Sequence, residues 1–237
     1  MLTGRYWGVI VTYVIMQVSG LLFVPLLFFT LPMTENQAIV YWSFISFVIG
    51  LVVILFIMKP YMKEPPVRNA ATKGEIVLWS ILGVFMAYFA NAIAASIEMY
   101  LLGIESGSEN TMMIMDMIKV LPIFFIVPTI TAPILEEIIF RKIIFGSLYK
   151  RFNFFIAAII SAGIFGIIHG EPEHILIYSG MGLVFAFVYV RTKRLIVPII
   201  VHMSLNSISV ILQTSGVLEK LEKQMEQMET LQMIFGG

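Results

Sequence analysis

Polar residues are sparse along the chain and fall in clumps, leaving apolar segments at about 6–29, 39–58, 76–101, 117–149, 154–169, 174–190 and 195–213. Several exceed the roughly 20 apolar residues needed to cross a bilayer core. Lipid offers no partner for an open backbone, so each segment is expected to be helical. The fourth is too long for one straight crossing. It holds Pro122, Pro128 and Pro133, each removing an amide donor and kinking a helix. It reads as one bent span, which makes seven; the alternative is a short helix and a second span starting near Pro133, which makes eight. The first segment is too long for a signal-peptide core, and no small-residue cleavage site follows it, so it reads as a retained span.

The loops decide between seven and eight. Residues 59–75 hold Lys59, Lys63, Arg68 and Lys73, a later turn holds Lys150 and Arg151, and another holds Arg191, Lys193 and Arg194. The intervening loops are acidic, with Glu105, Glu109 and Asp116 in one and Glu171 and Glu173 in another. Seven spans with a cytoplasmic N-terminus satisfy the positive-inside rule at every loop.

Composition agrees. Hydrophobic residues are 59% of the chain and charged residues 13%, against about 25% charged in soluble domains. Mean hydropathy is +0.94. The expected class is an all-α polytopic membrane protein. Zero formal net charge and the lack of a basic patch give no support to a nucleic-acid partner, and the absence of cysteine excludes disulfides and thiol chemistry. Three regions are expected: scaffold helices over 1–114, a core over 115–213 and a tail over 214–237. In the tail, Leu221, Met225, Met228 and Leu231 recur at threes and fours, predicting an amphipathic helix from Glu219 to Met233.

An ionised group at the centre of a span costs about 2.5–3.5 kcal/mol on insertion scales, which makes intramembrane ionisable residues functional candidates. The first three spans are nearly clean, Glu98 standing at an end. The last four carry Glu136, Glu137, Arg141, His169 and His202, with Asn206 one turn further on. Glu137 and Arg141 are i,i+4 and can pair as structure. Glu136 and Glu137 lie about 100° apart on a helix, so they are expected to face different surroundings, with Glu136 turned to the interior. Phe165 with His169, and His202 with Asn206, are also i,i+4. Glu136 and His169 sit equally far from the basic turn near 152–153 and should share a depth. His202 is nearer its own turn, by about 10 Å.

A buried carboxylate beside an imidazole can deprotonate water for attack on an amide, and a second imidazole with an Asn amide can hydrogen-bond the oxyanion. The set Glu136, His169 and His202 is equally a zinc ligand set of two His and one carboxylate. A proton or ion pathway would use the same residue types. Elsewhere the bland readings lead. His174 reads as a capping or interfacial residue, and Tyr6, Trp7, Tyr41, Trp42 and Trp79 as interfacial aromatics. Ser161, Gly163, Gly166, Gly180 and Gly182 read as packing positions.

Glu136-Glu137-Ile138-Ile139-Phe140-Arg141 reads E-E-x-x-x-R, Phe165 to His169 reads F-x-x-x-H, and His202 to Asn206 reads H-x-x-x-N. In this order, with Ala132-Pro133 ahead of the glutamates, they resemble the CPBP family of CAAX-protease and bacteriocin-processing membrane peptidases. The resemblance covers roughly 115–213. Lys142 stands where a Gly commonly follows the motif Arg. It implies that Glu136 and His169 activate water, that His202 and Asn206 form the oxyanion site, and that Glu137, Arg141 and Phe165 support them. No cofactor is then expected, with zinc as the alternative. A peptide or membrane-protein substrate and a bacterial plasma membrane are implied. A non-catalytic scaffold binding a partner membrane protein, and a transporter, are the competing classes.

Overall fold

The computed structural model describes residues 4–105 and 107–216, together with Lys223 and Gln227. The amphipathic tail expected from Glu219 to Met233 lies outside the described residues apart from those two.

Among the described residues six helices are long and apolar enough to cross a membrane: α1 (Gly4–Thr30), α2 (Glu35–Met62), α3 (Lys73–Leu101), α5 (Pro122–Leu148), α7 (Pro172–Thr192) and α8 (Ile196–Thr214). Two shorter helices complete the set, α4 (Glu109–Val120) and the apolar α6 (Phe154–Ile168). No strand occurs among the described residues. The chain is therefore an all-α polytopic membrane protein. Capping boxes open α2 and α3: Thr34 and Thr72 accept the N3 amides while Gln37 and Glu75 accept the cap amides.

The fourth apolar segment is one bent span, and its break falls at Leu121, not at Pro133. The residue before a proline is driven out of the helical region, and Leu121 adopts φ −137° and ψ 94°. Beyond Pro122 the chain winds continuously to Leu148, but through π-type turns at Val127–Thr131 and Ile138–Phe145. This helix is the centre of the molecule. Of its apolar window 61% is buried, against 17–39% for the other five, because α1, α2, α6, α7 and α8 all pack on it.

Loops of like charge meet at the same end. At the basic end the Ala71 amide donates to Thr192 O (2.9 Å), Arg194 Nε to Ala71 O (3.1 Å) and Lys193 Nζ to Arg68 O (3.1 Å). At the other end Ser108 and Asn110 donate to Glu171. Alternating crossings require this pairing.

Small residues set the closest helix approaches, though not all those expected. A Cβ on Gly182 would lie 3.0 Å from Ala162 Cβ and 3.1 Å from its Cα, and one on Gly166 would meet Ser179 Oγ at 2.9 Å, so both belong to the α6–α7 contact. Gly180 faces α3 more loosely, 3.7 Å from Ala90 O, and Gly163 has nothing within 4 Å. Overpacking a fitted contact costs about 1–3 kcal/mol. Gly182→Val is therefore expected to destabilise the protein by about that much in detergent unfolding, while Gly163→Ala is neutral or mildly stabilising. Equal effects at the two positions would show that α6 and α7 are not in close contact.

Candidate active site

Glu137 is fully buried, and three side chains converge around it. Arg141 Nε approaches one of its oxygens at 3.1 Å, from one turn along the same helix. The N–H is poorly directed at that oxygen, so this is an ion pair without hydrogen-bond geometry. His202 of α8 donates from Nδ1 to the other oxygen at 3.0 Å. The guanidinium carbon lies 4.7 Å from the Phe165 ring and 5.0 Å from the Phe185 ring, and those faces take up a cation whose terminal nitrogens have no acceptor.

The two glutamates differ in surroundings as expected, one partly open and one sealed, but a single imidazole links them. His202 Nε2 stands 3.7 Å from Glu136 Oε2 while its Nδ1 holds Glu137. An imidazole carries nitrogens on two edges, so one ring from a neighbouring helix bridges the angle that separates adjacent residues. The depth mismatch of His202 is also closed. The π turns of Ile138–Phe145 fit more residues into each turn and draw Glu136 toward the basic end. Glu136 keeps 16% of its side chain open, Glu137 none.

His169 occupies the C-cap of α6. The last turn tightens, with the His169 amide bonding to Gly166 O and the Gly170 amide to Ile167 O. This leaves the Phe165 carbonyl to the His169 ring, whose Nδ1 lies 2.7 Å away. A carbonyl only accepts, so Nδ1 carries a proton and Nε2 is the nitrogen left to accept one. No ion pair joins His169 to Glu136 among the described residues. The link is Phe165, whose ring centroid is 4.5 Å from that of His169 and 6.0 Å from that of His202.

Asn206 donates from Nδ2 to Pro128 O at 2.8 Å. The local winding explains why that carbonyl is free. Its α-type donor, the Ala132 amide, is bonded to Val127 O instead. Its π-type donor would be residue 133, a proline with no N–H. Ser161, read as packing, donates to Phe140 O at 3.1 Å and so ties α6 to the second π stretch.

Two buried acids near this site were not singled out by the sequence. Glu98 is 2% exposed; one oxygen accepts from His174 Nδ1 at 2.9 Å and the other from the amides of Leu176 and Ile177. It thereby satisfies the orphan donors at the start of α7. His174 stands at the N-cap of the regular α-helix that begins at Ile175, as the capping reading expected, but its side chain caps no amide and is instead a buried partner of a carboxylate on α3. Glu171 accepts from Tyr178, Ser108 and Asn110. Tyr13 of α1 was passed over as well, and it lies within electrostatic reach of Glu136. None of the three carries a sequence signal, because an acid at a span end and a tyrosine in a span both read as interfacial.

A zinc site of the expected kind would need Glu136, His169 and His202 together. Among the described residues no three His, Asp or Glu gather as a ligand group. Glu136 meets His202, but both nitrogens of His202 face carboxylates and His169 turns its Nδ1 to backbone.

Carboxylates, imidazoles and an amide gathered between membrane-crossing helices are groups that an amide hydrolase of the membrane requires, and the comparisons with known proteins place the chain in that class. A family model described as Type II CAAX prenyl endopeptidase Rce1-like matches residues 118–208. The chain is 48% identical to the candidate membrane peptidase YdiL of Bacillus subtilis (strain 168), over 98% of both chains. It is 32% identical to the membrane-embedded CAAX protease MroQ of Staphylococcus aureus (strain USA300), again over 98% of both. No solved structure matches. The chain belongs to the Rce1-like family of CAAX proteases, and it is a membrane protease.

Removing one partner of a buried ion pair costs about 3–5 kcal/mol. Arg141→Ala should lose about that much stability, and Glu136→Gln far less, by thermal unfolding in one detergent. Equal losses would remove the distinction between a sealed and an open carboxylate.

Glu171 lies in the turn between α6 and α7, outside the spans. Burial raises its carboxyl, but hydrogen bonds from Tyr178, Asn110 and Ser108 outweigh burial and hold it below the ordinary 4.5. The folded protein then binds fewer protons than the unfolded chain. Its contribution is complete above pH 4.5 and is lost as pH falls through the lower folded value. Stability of Glu171→Gln should therefore fall less steeply than wild type below that pH and run parallel to it near neutrality. Superimposable slopes would remove Glu171 from the acid response.

Proposed function

We propose that the protein is an intramembrane endopeptidase that hydrolyses a peptide bond in a peptide or membrane-protein segment, with no covalent intermediate. One observation carries the reading. Of two adjacent carboxylates, Glu137 is sealed between Arg141 and His202, while Glu136 keeps an open edge. Glu136 takes a proton from water. His169 shares that task through Nε2, its Nδ1–H being spent on Phe165 O, and delivers the proton to the leaving amine. The oxyanion forms against His202 Nε2 and the second N–H of Asn206 Nδ2, the first being held by Pro128 O. His202 donates there when it carries both ring protons, and the flanking carboxylates offset that charge. No step passes through a metal.

The basic loops and the N-terminus face the cytoplasm of a bacterial cell, following the charge bias of the loops. Tasks suited to such a site are maturation of a secreted peptide, self-immunity to a bacteriocin and cleavage of a membrane regulator.

The test is turnover of a quenched fluorescent peptide library by purified protein in detergent. Glu136→Gln and His169→Ala are each expected to lose at least about 100-fold in kcat, and Asn206→Ala about 100-fold. A strong chelator should leave wild-type turnover unchanged. Chelator-sensitive turnover restored by zinc would replace water activation by Glu136 with a metal mechanism. If no peptide is cut, and both variants still complement a deletion phenotype, the scaffold reading takes over.

A further inference from the structure

Two buried polar side chains beside the site take no part in the chemistry above: Tyr178, 9% exposed, and Glu171, 5% exposed. The Tyr178 ring lies flat on the His169 imidazole, with centroids 4.0 Å apart and an interplanar angle of 23°. The bond from Nδ1 to Phe165 O restrains the imidazole at one edge, within the angular tolerance of a single hydrogen bond. The terminal torsion of His is intrinsically broad, so a face contact narrows the plane further. Phe165, at 4.5 Å and 59°, meets His169 at a tilt and selects it less sharply.

Tyr178 is itself held. Its hydroxyl donates a short hydrogen bond to Glu171 Oε2. The same oxygen accepts from Ser108 Oγ at 2.9 Å, and Oε1 accepts from the Asn110 amide at 3.0 Å. Glu171 follows His169 by two residues, so the anchor moves with the backbone that carries the imidazole. Ser108 and Asn110 open α4, which leads directly into the helix of Glu136. The clamp thus joins the two chain segments that bear the proposed water-activating pair.

We propose that Tyr178 is the positioning residue of the His169 imidazole, with Glu171 as its anchor, so that the plane in which Nε2 points is set by a stacked phenol. The proposal rests on the reading that His169 acts in the chemistry. A misplacement of about 1 Å in a reacting group can cost 100-fold. Tyr178→Leu should therefore lower kcat by about 10- to 100-fold with KM little changed, and Tyr178→Phe, which keeps the ring but loses its bond to Glu171, should recover only part of that loss.

The experiment uses full-length protein in detergent, assayed for kcat and KM and labelled with 13C-histidine. The chain has three histidines, which single His→Ala variants assign. The His169 ring-proton resonance should lose its ring-current shift in Tyr178→Leu and keep it in Tyr178→Phe. Tyr178→Met takes the place of the leucine variant should that one not fold. Wild-type kcat with an unmoved His169 resonance overturns the proposal. So does a kcat loss with an unmoved resonance, since that loss then arises elsewhere. Full turnover in His169→Ala would overturn the catalytic reading and this inference with it. Lost turnover in His169→Ala beside wild-type turnover in Tyr178→Leu would overturn the inference alone.

Discussion

The Glu137 carboxylate, wholly removed from solvent inside a helix bundle, is the constraint on which the rest of the site depends. A charge there is tolerated only when paired and hydrogen-bonded. Arg141 supplies the countercharge from its own helix, and His202 supplies the hydrogen bond from α8. The guanidinium in turn needs partners, and Phe165 of α6 and Phe185 of α7 provide aromatic faces. One buried acid thus draws four helices to a common point. It also fixes which His202 nitrogen is committed, leaving Nε2 on the side of Glu136.

Departures from regular winding do comparable work at the backbone. A carbonyl inside a continuous α-helix already holds one amide, so a side chain that bonds it shares the acceptor. The first π turn of α5 leaves Pro128 O to Asn206, and within the second Phe140 O accepts from Ser161. Side chains that borrow backbone acceptors are held by the helix itself, which is stiffer than any rotamer. Such turns are tolerated at membrane depth because protein, not lipid, surrounds them. The burial of α5 follows from the same need.

Much of this was legible in the chain. Apolar runs predicted the helices, although of the seven crossings expected six are long enough to span and α6 is shorter, and the i,i+4 spacing of Glu137 and Arg141 predicted their pair. The spacing of Phe165 and His169 placed them on one face, as found. What could not be read were relations across helices. The imidazole of His202 bridging both glutamates depends on the angle between α5 and α8. Glu98 looked like an end residue because only the fold brings the start of α7 to it. The break at Leu121 was missed because three prolines offered equivalent sites within one apolar run.

The shortness of α6 binds these threads together. Its 15 residues span about 22 Å, less than the roughly 30 Å of a bilayer core. In lipid an early end would strand carbonyls. Here the turn that follows is covered by Glu171 and its donors, so the helix can stop inside protein. Stopping there spares the Phe165 carbonyl the amide of His169. Were α6 one turn longer in regular α-form, that amide would bond to Phe165 O and the ring would share its acceptor. The position of a helix end therefore gives the His169 ring sole use of the carbonyl that holds its Nδ1 proton.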